Sequence, residues 1–87
     1  MHTDEYEISL SRELDVCDGR IREIRRFLAV MEKRYSLDTE MFVREFRDGR
    51  LTGHADDFTL WIDNYEALKR WEALKRQYEG LLKRMKI

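Results

Sequence analysis

Apolar residues recur along the first third of the chain at alternating steps of four and three: Leu10, Leu14, Cys17, Ile21, Ile24, Leu28, Met31 and Tyr35. That spacing holds one stripe on one face of a helix, so it predicts a single long helix with a heptad seam. Its start falls between Asp4 and Ser11, where Asp4, Ser9 and Ser11 are all suitable N-caps. Phe27 and Val30 add apolar surface beside the seam near the helix's far end. Gly19 lies inside the helix and off the seam, at a cost of up to about 1 kcal/mol relative to Ala.

The next pattern is shorter. Asp38 reads as an N-cap, and Leu37 before it with Phe42 after it matches a hydrophobic staple. Phe42, Val43 and Phe46 give the following helix its apolar side, and Gly49 suits the left-handed residue that ends it. The stretch GRLTGHAD is then a loop, and Asp56 or Asp57 starts a last long helix.

That helix contains YEALKRWEALKRQYEGLLKR, whose first two phrases are six residues apart. Six residues advance a helix by about 600°, so Tyr65 and Trp71 share no face and the rhyme is not a structural repeat. The working period is seven. Leu60, Ala67, Leu74 and Leu81 form one row, and Asn64, Trp71, Tyr78 and Met85 interleave as the other. A second apolar face, made of Phe58, Trp61, Ile62, Tyr65 and Leu68, exists only in the first turns. Beyond it that face turns charged, through Lys69, Glu72, Lys75, Arg76 and Glu79.

These patterns predict an all-α single domain over 1–87, with helices at about 5–34, 39–48 and 57–84. If the long helices run antiparallel, their doubly apolar ends meet, and the short helix covers the closed end. The corner core is then Phe27, Tyr35, Phe42, Phe46, Phe58 and Trp61. Charge supports the orientation. Residues 1–18 and 37–64 carry an excess of acid, and 19–36 and 69–87 an excess of base, so an antiparallel hairpin sets every block beside its opposite. Exposed pairs contribute only about 0.2–1 kcal/mol each, which selects orientation more than it adds stability. A two-helix core is thin for a chain this size, with neither disulfide nor evident metal to staple it. A homodimeric four-helix bundle is therefore expected, through Leu60, Asn64, Ala67, Trp71, Leu74, Tyr78, Leu81 and Met85. Asn64 is either a register-setting polar residue in that interface or a solvent-facing one.

Composition narrows the function classes. Charged residues make up 40% of 87, Pro is absent, and 17 bases nearly cancel 18 acids, so net charge gives no argument for nucleic acid. A lone Cys17 fits a reducing compartment and, on the seam, a core filler rather than a nucleophile. The longest apolar run is FLAVM, far short of the ~20 residues that span a bilayer, and MHTDEYEI lacks a secretion pattern. The expectation is a cytoplasmic protein away from the membrane. His54, Asp56 and Asp57 could suggest a metal site, but a helix N-terminus accounts for the acids more simply. No phosphate loop, nucleophile elbow or zinc spacing is present, so neither an enzyme nor a cofactor is expected. The nucleic-acid alternative rests on Arg20, Arg22, Arg25 and Arg26, with Arg22, Arg25 and Arg26 as the phosphate contacts. No helix-turn-helix or zinc-finger pattern accompanies them.

The run KRYSLDTEMFVREFRDGRLTGHADDFTLWIDNYEALK, about 33–69, resembles a class of short helical prokaryotic proteins. The matching positions are Tyr35, Phe42, Phe46, Gly49, Leu51, Gly53, Asp57, Phe58, Trp61 and Leu68, while Ser36 stands where Gly is common. Such proteins look like the antitoxin-side partners of toxin–antitoxin-like gene pairs. The resemblance implies a binding role, with a second protein such as a small toxin as partner, and implies no catalytic residue. The reading is a protein-interaction module that dimerises. The alternatives are a nucleic-acid-binding helical module and a purely structural homodimer.

Overall fold

The structure is a computed structural model in which residues 5–85 are described. Its elements are α1 (Glu5–Tyr35), α2 (Thr39–Arg47) and α3 (Ala55–Met85). The ion pairs Asp18–Lys75, Arg25–Glu72 and Arg34–Asp57 run in opposite chain directions, so α1 and α3 form an antiparallel hairpin. The molecule measures 59 × 20 × 17 Å, a rod less than two helix diameters across in either short direction.

The α1 seam is the one the spacing predicts. Leu10, Cys17, Ile21, Ile24, Leu28 and Met31 are buried, with Leu14 and Tyr35 half-buried at their places in the row. Val30 is a correction: it is 52% exposed and adds nothing to the corner. It lies one step past the stripe that Phe27 shares with the core, on the side away from α2. Nothing in the structure explains Gly19, around whose Cβ position there is open space. Asp4, one of the possible N-caps, lies outside the described residues.

The corner is built by local backbone chemistry. Ser36 takes φ +52°, the left-handed conformation that favours Gly, and the Leu37 N–H returns to the Glu32 carbonyl at 3.2 Å. Asp38 caps α2 by accepting from the Met41 N–H at 2.8 Å, and Glu32 of α1 accepts from the Thr39 N–H at 2.8 Å. Two donors at the start of α2 are thus satisfied, one of them by α1. At the other end Gly49, at φ +74°, directs its N–H to Phe46 O while Arg50 reaches Glu45 O, which is the paired bonding of a Schellman ending.

The core follows. Trp61 and Phe42 are fully buried, their rings stacked at 3.9 Å and 3°. Tyr35, Phe46 and Phe58 pack around them, and Phe27 is half-buried at the edge of the same cluster. The Trp61 indole N–H donates to the buried Thr39 hydroxyl at 3.1 Å, so the one polar atom of the ring is not left unpaired. Among the described residues Thr39 is the one buried polar residue, and the apolar pattern gives no hint of it.

Phe42→Ala is expected to cost about 3–5 kcal/mol, because it removes both transfer energy and a stacking partner from a filled site. Val30→Ser is expected to stay within about 0.5 kcal/mol, as an exposed position should. Urea unfolding of the two variants at matched protein concentration checks both values.

Candidate interaction surface

The hairpin has two unlike sides. On one, α2 lies across the groove, with Arg25, Leu28 and Glu32 of α1, Asp38, Thr39 and Glu40 around α2, and Tyr65 and Leu68 of α3 lining a shared depression. On the other, nothing in the described chain covers the two long helices. There Arg20, Glu23, Ile24 and Phe27 meet Asn64 and Trp71 in a second depression.

Which residues of α3 grip α1 is decided by a one-residue offset. Trp61 and Leu68 are buried, and seven residues further on Lys75 reaches Asp18 of α1 at 2.7 Å. The row facing α1 is therefore 61, 68, 75 and 82, not the row that begins at Leu60. Past Leu68 the helix does turn polar, and it uses that polarity. Glu72 accepts from Arg25 at 2.7 Å, and the pairing with Asp18 holds the Lys75 ammonium proton more tightly than usual.

The heptad rows expected to form an interface lie beside this, on the uncovered side. Leu60 is 51% exposed, and Asn64, Ala67, Trp71, Leu74, Tyr78, Leu81 and Met85 are all half-buried. One edge of the flank touches the core, through Trp71 and Ala67, and the other edge faces outward. Asn64 donates its side-chain amide to the Leu60 carbonyl one turn back, at 2.9 Å, so its own helix satisfies part of its polarity. On α1 the helical stripe that continues the same face is Val16, Arg20, Glu23, Phe27 and Val30, with Val16 47% exposed.

The residues of the loop cluster take part in holding the corner. The last helix begins at Ala55, earlier than Asp56 or Asp57, so the expected start near 57 is corrected by a half turn. Asp56 and Asp57 occupy the first turn, where carboxylates meet the positive end of the dipole. The Asp57 side chain does not cap its own helix. It accepts a hydrogen bond from the Tyr35 hydroxyl and another from Arg34 at 3.0 Å, which ties α3 to the end of α1. The Tyr35 bond, aided by Arg34, lowers the Asp57 pKa, and the same bond raises that of Tyr35. His54, at φ +47°, rests its ring on Tyr35 and Phe58. Among the described residues no three His, Cys, Asp or Glu side chains gather to hold a metal. Cys17 is buried, and burial first, then Glu13 and Asp18, pushes its thiol pKa up, away from nucleophilic use.

The basic cluster is partly self-neutralised. Arg25 is engaged by Glu72, and Arg20 lies 3.8 Å from Glu23, while Arg22 and Arg26 are exposed and have no ion pair among the described residues. No described helix is long and apolar enough to cross a membrane. A scan of protein-family models, a search of curated proteins and a search of solved structures each give no match to the chain.

The depressed Asp57 carboxyl makes a signed prediction. Its contribution is fully present above the ordinary carboxylate pKa of about 4 and is lost as pH falls through the lower folded value. Wild type is therefore expected to exceed Asp57→Asn in stability at neutral pH, and the gap is expected to close in strong acid. Parallel urea titrations across that range would show a pH-independent gap if the Tyr35–Asp57–Arg34 contact were not the cause.

Proposed function

We propose that this chain is a non-enzymatic protein-interaction module whose working surface is the uncovered flank of α3 with the α1 stripe beside it. The observation that carries the reading is the half-burial of a continuous apolar row, Trp71, Leu74, Tyr78 and Leu81, on the side of the hairpin that α2 leaves open. A row of this kind lowers its free energy when another polypeptide covers it, and contiguous exposed apolar surface marks such sites. Two other depressions have polar groups that the fold already uses. The depression beside α2 is lined by groups already in cap bonds or ion pairs, and the one by His54 is a helix start. The resemblance of the corner region to antitoxin-side proteins belongs to the same class of function, with a small toxin as the kind of partner it suggests.

Nucleic-acid binding is the weaker reading, because Arg25 is already committed to Glu72 and the remaining bases are interspersed with acids. Two measurements separate the readings. Leu74→Glu is expected to leave the dilute hairpin folded, losing less than about 1 kcal/mol, since Leu74 belongs to the open flank. A loss of about 2–5 kcal/mol would make Leu74 a core residue and remove the surface. Titration with duplex DNA and with RNA at about 50 and 200 mM salt is expected to show no saturable binding. Binding with a steep salt slope would overturn the proposal in favour of Arg22, Arg25 and Arg26.

A further inference from the structure

Resting on that surface, we infer that its occupant is a second copy of this chain, docked with α3 antiparallel to α3 about a twofold axis between Glu72 and Ala73. The first argument is register. With the axis there, the two heptad rows interleave: Trp71 meets the partner's Leu74, Ala67 the partner's Tyr78, Asn64 the partner's Leu81, and Leu60 the partner's Met85. Small faces large at Ala67, and the largest side chain of the flank lies at the centre, where packing against both copies is deepest.

The second argument is charge. Between Ala55 and Glu66, α3 carries four acids and no Lys or Arg; from Ala67 to Met85 it carries six bases and two acids. Antiparallel pairing lays the acidic end on the partner's basic end twice, whereas parallel pairing sets like on like. The edge positions show the same at single residues. Asp63 falls beside the partner's Arg84, and among the described residues neither has an ion-pair partner within its own chain. The charges of α3 turned toward α1 or α2 behave differently: Asp57, Glu66, Lys69, Glu72 and Lys75 are all paired.

The third argument distinguishes this axis from one lying along the helices. That axis would place α3 over the partner's α1 and bury Arg20 and Glu23 against Trp71 and Leu74, with the desolvation penalty of charge on apolar surface. The perpendicular axis stacks each helix on its own copy. Arg20 then approaches the partner's Glu23, and Val16 the partner's Phe27, so polar meets polar and apolar meets apolar at the centre of the α1 stripe.

The test uses nitroxide labels on Thr59→Cys and Gln77→Cys, both at exposed positions, with buried Cys17 left in place. At ~1.5 Å per residue, the antiparallel axis separates the two Gln77→Cys labels by about 14 Å along the helix and the two Thr59→Cys labels by about 40 Å. Dipolar spectroscopy is expected to give a short distance for the first and a long one for the second. Equal short distances would mean a parallel dimer and overturn the orientation. Absence of dipolar coupling, with a monomer mass by light scattering, would overturn self-association. That result leaves the interaction surface standing, since only a core role for Leu74 or salt-dependent nucleic-acid binding removes it. As a rescue test, Asp63→Arg is expected to weaken the dimer roughly 2- to 30-fold through two symmetric pairs, and adding Arg84→Asp to restore it. Weakening without rescue would overturn the assigned register.

Discussion

The stack of Phe42 on Trp61 is the contact on which the rest depends. It is where all three helices meet: Phe42 comes from α2, Trp61 from α3, and the Tyr35 ring at the end of α1 packs on Trp61 at 5.8 Å. Both rings are fully buried, and the indole N–H is satisfied by Thr39, in the first turn of α2 that Asp38 and Glu32 cap. Without the Thr39 hydroxyl that buried donor is stranded. The backbone devices at Ser36, Gly49 and Gly53 matter because they aim α2 and α3 at this point.

Away from the corner the hairpin changes character. Near Trp61 it is held by aromatic area, and by Glu72 and Lys75 it is held by an apolar row on α1 with ion pairs along its rim. Exposed pairs contribute little each, so within the chain the far half relies mainly on the α1 seam. One geometric fact organises the molecule: α2 is nine residues long and covers one side of one end of the hairpin.

Much of this was legible in the residues. The α1 seam is regular enough that its buried set follows from spacing alone, and Asp38 and Gly49 announce the ends of α2 by chemistry that admits few alternatives. α3 is less legible, because that helix carries two apolar rows side by side. Spacing shows that both exist, but it cannot tell which one an intramolecular partner takes. The choice is made by Trp61 and Leu68 fitting the corner, with Leu60 left outside. Thr39 and the Tyr35–Asp57 bond were invisible for a different reason. Each is a polar residue in a polar-looking stretch, and its role comes only from a partner more than 20 residues away. Asp57 looked like a cap because caps are what acids at helix starts usually are.

Native-state hydrogen exchange, followed amide by amide at several protein concentrations, tests most directly the claim that the corner holds the fold and the open flank awaits a partner. The account predicts the slowest amides in 24–35 and 58–68, with exchange at the open end, 8–14 and 78–84, faster in dilute protein and slowing as concentration rises. Uniform protection along both long helices, unchanged by concentration, would contradict it: the hairpin would then be complete by itself, with no energetic use for the uncovered flank.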